Sequence, residues 1–214
     1  IFNSSFIFHF KVSDTKVVLK RKNHNLTYNK CKKDYFEHYS RYQIPKKYQI
    51  NPTSRQEFQQ LLQENQEITG IVHLWGIKKV ENKDSLELET ILAKTCGSVL
   101  HLVQGIIKSK PTQNPQLWLI TQGTQKVLSN TEVTNPEYGS LRALGQVLTL
   151  EHPELKCKRI DIDPNIEPTQ IAESLEAELL SQEVEDQIAI RKGQRYVARL
   201  EQKQPDEQVQ PVQL

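Results

Sequence analysis

A chain of 214 residues is long enough for one ordinary domain with tails and for a real hydrophobic core. An apolar fraction of 36% and a charged fraction of 25% exclude an intrinsically disordered chain, and a net charge of +2 gives no global drive toward nucleic acid. No uninterrupted apolar run reaches the roughly 18 residues of a membrane span, and Cys31, Cys96 and Cys157 are too far apart for a metal or redox motif, which points to a reducing, cytoplasmic setting.

Residues 1–47 carry two strand-like runs, Phe6 to Phe10 and Lys16 to Lys20, around a basic polar stretch at 21–33 that reads as a solvated loop. The apolar start at Ile1, with no methionine anywhere in the chain, suggests a fragment of something longer. Ser54-Arg55-Gln56-Glu57 is a capping box and opens a helix whose apolar face is Phe58, Leu61 and Leu62. Gly70 to Trp75 is a continuous apolar run, as in a strand buried on both faces. Asp84 opens a second helix through Leu88, Ile91, Leu92 and Cys96 to about Ile107, and Leu117 to Thr121 is the next buried strand.

A third helix follows from Tyr138, with Leu141, Leu144 and Leu148 at helical spacing, and Pro153 stops it. Gly145 lies inside that helix at a cost of about 1 kcal/mol, which suggests the close approach of another backbone. Cys157 to Ile162 is a strand and Ile171 to Leu180 a helix. Gln187–Arg191 and Arg195–Leu200 are strands joined by a tight Lys192-Gly193 turn. Residues 201–214, rich in Gln, Glu and Pro, read as a linker or tail. Alternating strands and helices predict an α/β fold, a mostly parallel sheet with helices on its faces.

A dinucleotide site needs a glycine-rich turn after the first strand, so that backbone N–H groups can reach the pyrophosphate. The first of the eight glycines here is Gly70. Tyr138 and Arg142 stand at the tyrosine-to-lysine spacing of short-chain dehydrogenases, but arginine is a planar fork and not a compact ammonium. Thr121 or Thr124 falls near the place of the catalytic serine in those enzymes. His73 and His101 have no carboxylate at ligand spacing and read as structural. Glu151, His152, Pro153 and Glu154 read as a helix end that satisfies its own terminal groups. Trp75 and Trp118 read as core or as an interface between subdomains.

The strings Gly70-Ile-Val-His-Leu-Trp75, Leu150-Glu-His-Pro-Glu-Leu155, Ile160-Asp-Ile-Asp-Pro164, Glu185-Asp-Gln187 and Arg195-Tyr-Val-Ala-Arg-Leu200 occur in that order. Over residues 48–200 the chain resembles the N-terminal, structural subdomain of the ketoreductase region of modular type I polyketide synthases. It departs where that family usually has Leu-Trp-Gly-Leu-Gly-Arg and this chain has Leu141 to Gln146. The resemblance implies a truncated, degenerate Rossmann-like fold without cofactor or catalytic residues. It implies that Trp75, Trp118, Gly145, Glu151, His152 and Pro153 serve structure or the subdomain interface. The partner would be a catalytic subdomain that binds NADPH and reduces β-ketoacyl groups on acyl carrier protein. Charge, run length and ligand spacing give no case for nucleic acid, membrane or metal. Two other readings stand beside the resemblance. One is a divergent short-chain dehydrogenase using Tyr138 and Arg142, the other an interaction module acting in trans on a synthase.

Overall fold

The computed structural model describes residues 17–21, 48–77, 85–128, 133–165 and 168–200. The strand expected at Phe6 to Phe10, the basic stretch 21–33 beyond Arg21, Cys31 and the tail at 201–214 lie outside the described residues. The elements are β1 (Val17–Arg21), α1 (Arg55–Glu64), β2 (Ile68–Gly76), α2 (Ser85–Leu92), α3 (Ser98–Ser109), β3 (Gln116–Gln122), α4 (Gly139–Glu151), β4 (Lys158–Ile162), α5 (Pro168–Leu180), β5 (Gln187–Arg191) and β6 (Gln194–Val197). The last strand thus stops three residues before Leu200, short of the expected run.

The six strands lie in the order β1-β2-β3-β4-β5-β6. Neighbours from β2 to β5 are parallel, and the two edge pairs, β1 with β2 and β5 with β6, are antiparallel. The β5–β6 hairpin closes on Lys192 and Gly193, both at positive φ (50° and 74°), as a tight hairpin turn requires.

Local chemistry explains the helix ends. The Ser54 hydroxyl accepts from the Glu57 N–H at 3.4 Å, and Glu57 Oε2 accepts from the Asn51 N–H at 2.7 Å, so the expected cap reaches three residues further back than a simple box. At the far end of α4, the His152 N–H donates to the Leu148 carbonyl at 2.9 Å, and a 3-10 turn at Pro153–Leu155 follows. α2 runs into α3 through a π-turn at Ala93–Gly97. The continuous stretch Leu88–Ser109 is long and apolar enough to cross a membrane by length and composition. Its Val99, Leu102, Val103 and Ile106 are instead buried in the domain core. Polar residues interrupt it, so reading uninterrupted runs alone passes over it.

Strand alternation sorts side chains into two cores. On one face Ile71, Trp75, Leu117 and Leu119 pack with Phe58, Val99, Leu102, Leu141 and Leu148 from α1, α3 and α4. On the other, Val72, Trp118, Ile120, Ile160 and Ile188 pack with Ile171, Leu175 and Leu179 of α5. The sheet therefore has helices on both faces. The β2-to-β3 and β3-to-β4 connections cross the first face and the β4-to-β5 connection crosses the second, while all three step the same way across the sheet. The α5 crossover thus has the opposite hand to the two before it, so the three cannot all obey the right-handed rule that holds for about 98% of such connections.

Candidate functional site

The carboxyl ends of β3, β4 and β5 meet at one buried acid. Asp161 is 3% exposed and stands beside Thr121 of β3 and Ala189 of β5 in the register. Its carboxylate accepts from Thr121 Oγ1 at 2.7 Å, Thr124 Oγ1 at 2.8 Å, the Thr124 N–H at 3.0 Å and the Gln125 N–H at 3.1 Å. The fifth donor is Arg191 Nη2, a charge-assisted bond between groups that are both buried. Arg191 also donates to the backbone carbonyls of Asp161, Ile190 and Gln125 at 2.9, 2.9 and 2.8 Å. The cluster ties three strands and the loop after β3 together and leaves neither charge alone.

The threonines near the expected serine position are thus committed to Asp161. Tyr138 is 3% exposed in the 3-10 turn before α4, and is absent from the lining of the neighbouring cavity, whereas Arg142 lines it. The spacing that suggested a catalytic pair does not place both side chains at one opening. Burial and the nearby Arg159 charge lower the Arg142 guanidinium pKa, while Asp161 pulls it back up.

The cavity, about 270 Å³, is lined by Arg142, Arg159, Asp161, Gln187 and Tyr196 among others. Leu119, Arg159 and Gln187 stand side by side across β3, β4 and β5 beneath it. These residues, with Asp161 and Arg191, were not singled out from sequence as site residues. The available signal was charge at alternate positions in a strand, at Arg159 and Asp161, with arginine closing the next strand at Arg191. Such alternation also reads as one wet face, yet all five residues of β4 are buried.

The remaining candidates are placed elsewhere. Trp75 and Trp118 are 7% and 3% exposed, each in a different core. A Cβ on Gly145 would lie 2.8 Å from Arg159 Cγ and 2.9 Å from Leu119 Cδ1. The close approach at Gly145 is therefore to side chains of this chain's own sheet. The nearest atoms are side-chain carbons and not the other backbone that the glycine suggested. Glu151 is exposed, and His152 Nδ1 lies 3.0 Å from Glu154 Oε1 at the surface. A backbone N–H and His152 hold the Glu154 carboxyl below its usual range. His73 Nε2 meets Ser98 Oγ at 2.8 Å, and His101 lies against the Phe58 ring with centroids 6.2 Å apart. No group of three or more His, Cys, Asp or Glu side chains placed to hold a metal occurs among the described residues.

Burial pushes the Cys157 thiol up to about 12 against the pull of Arg159. Maleimide at pH 8 is therefore expected to label half-buried Cys96 in the native protein, and Cys157 only after urea is added, as read by peptide mapping. Equal labelling of both without urea would contradict this placement. Because the folded-state value lies above the unfolded one, this thiol's contribution to stability is present below about pH 9 and is lost as pH rises toward 12.

A dinucleotide would need a crevice at a point where strand order reverses, over a phosphate turn. The strand order here is sequential, and β1, beside β2, is antiparallel. The strand ends at β3 to β5 present a carboxylate and not a backbone cradle. Residues 12–183 match the family model described as beta-ketoacyl synthase-like, N-terminal.

The chain belongs to that family.

Its relatives include polyketide synthases, and the solved structures that it resembles include ketoreductases. It is 35% identical over 117 residues to a phenolphthiocerol/phthiocerol polyketide synthase from Mycobacterium tuberculosis, a match that covers 55% of this chain and 5% of that protein. It therefore spans about a twentieth of the length of that relative. The structure of an A1-type ketoreductase matches with a TM-score of 0.57 and 25% identity over 70% of this chain and 31% of that one. A C2-type ketoreductase from a modular polyketide synthase matches with a TM-score of 0.56 and 23% identity, over 74% and 36%. The chain thus has the expected Rossmann-like, mostly parallel sheet between helices, as in ketoreductase structures.

Proposed function

We propose that this chain is the non-catalytic, structural half of a polyketide-synthase ketoreductase region in the cytoplasm. In this reading it stabilises a separate catalytic subdomain, which carries NADPH and reduces β-ketoacyl groups held on acyl carrier protein. The observation that carries the reading is the Asp161–Arg191 cluster at the carboxyl ends of the parallel strands. A dinucleotide's phosphates there would meet a carboxylate whose removal strands a buried arginine. The sequential strand order and the lack of glycine before Gly70 agree with it.

Titrating NADPH into the chain tests the proposal. Calorimetry is expected to show only heat of dilution for the chain alone. With a matching catalytic subdomain added, the melting temperature is expected to rise, because that partner binds only the folded chain. A dissociation constant for NADPH at or below about 100 µM, worth about 5.5 kcal/mol, would overturn the reading.

A further inference from the structure

α4 lies across β3 and β4. The same face of the sheet continues past it over β5 and β6, and the 270 Å³ cavity opens there. Four cationic residues line it: Lys126, Arg142, Arg159 and Arg199. The one acid in the lining, Asp161, already takes five donors.

Arg159 and Arg199 are paired with Asp186 and Glu185, and Arg159 keeps buried donors besides. Arg159 is 7% exposed. Its Nη2 bonds Asp186, but its Nε and Nη1 are buried and have no hydrogen-bond partner. Buried donors are costly to leave unmade, and such an orphan calls for an ion or water. Gly145 lies close against the stem of this side chain, where a Cβ would come within 2.9 Å of its Cδ. Arg142 enters from α4. Its hydrogen-bond partner is the neutral Gln187 amide, whose oxygen, in the orientation that satisfies both groups, accepts from Arg142 Nε at 3.0 Å. No carboxylate ion-pairs with Arg142 among the described residues.

We propose that this cavity binds a small oxyanion, a carboxylate or phosphate group, held between the guanidinium groups of Arg142 and Arg159. The planar Arg142 fork, which no carboxylate pairs, suits the paired oxygens of such a group, and the Arg159 charge beside it adds to the attraction. The burial that lowers the Arg142 pKa is offset when an anion joins the pair. The space exceeds one inorganic ion, and Leu119, Val127 and Val197 provide apolar wall for a short carbon chain on the same molecule. The site is independent of the ketoreductase reading, since it requires neither NADPH nor a catalytic partner.

The full chain is titrated at constant ionic strength with sodium phosphate and, separately, sodium butyrate. Calorimetry follows binding, and NMR follows the arginine Nε–H resonances. Saturable binding of at least one anion is expected in the millimolar range or tighter, with the Arg142 and Arg159 resonances moving together. Which anion binds distinguishes phosphate from carboxylate. Arg142→Gln is expected to weaken binding at least tenfold while circular dichroism stays unchanged. The proposal is overturned by the absence of saturable binding of either anion up to 20-fold beyond about 1 mM. Equal binding by a folded Arg142→Gln variant, or movement spread over surface cations without Arg159, also overturns it. Should that variant fail to fold, the wild-type resonances decide.

Discussion

Asp161→Asn is expected to destabilise the domain by about 3–5 kcal/mol, the cost of leaving one member of a buried ion pair unpaired. Arg191 has no route to water, being 3% exposed. The new amide would also turn an NH2 group toward some of the donors that now converge on the carboxylate, Thr121, Thr124 and the Gln125 N–H. For a chain of this size the melting temperature should fall by on the order of 10 °C. The double variant Asp161→Asn, Arg191→Met should lose less than the two single changes added together, because each single change strands the other's partner. Urea unfolding measures both. A loss below about 1 kcal/mol for the single variant would show that the cluster tolerates an uncharged centre.

Gly145→Leu is expected to cost about 3 kcal/mol of stability in the isolated chain, at the upper end of the usual cost of overfilling a core. The first added atom would lie 2.8 Å from Arg159 Cγ and 2.9 Å from Leu119 Cδ1, closer than carbon atoms pack. α4 must then lift from β3 and β4 or Arg159 must leave its position. The substitution acts on the fold itself, so it is unsuited to testing association with a partner. Thermal unfolding followed by circular dichroism is the measurement. An unchanged melting temperature would mean that α4 can slide without loss.

Both effects follow from features that differ in how far they could be read from the chain. Gly145 stands out in a helical pattern, because glycine there costs stability and suggests close packing. What it packs against could not be read, since helical periodicity reports which residues share a face and not what lies opposite. Asp161 and Arg191 are 30 positions apart, and their pairing depends on β4 and β5 being neighbours in register. Ordinary strand patterning would place charges at 159 and 161 toward solvent.

The alternation of apolar runs and helical stripes from Ser54 to Arg191 determines a layered α/β domain, for each strand or helix must bury its own apolar face. The capping chemistry at Ser54 and the stop at Pro153 are equally local. The absence of glycine before Gly70 is a property of the sequence alone. The sequential strand order, the antiparallel β1 and the reversed hand of the α5 crossover were decided only in the tertiary structure. So was the meeting of Arg142 with Arg159 at one cavity. Strand order and charge pairing are settled by contacts between distant segments, and the energy that selects them appears only when those segments are buried together.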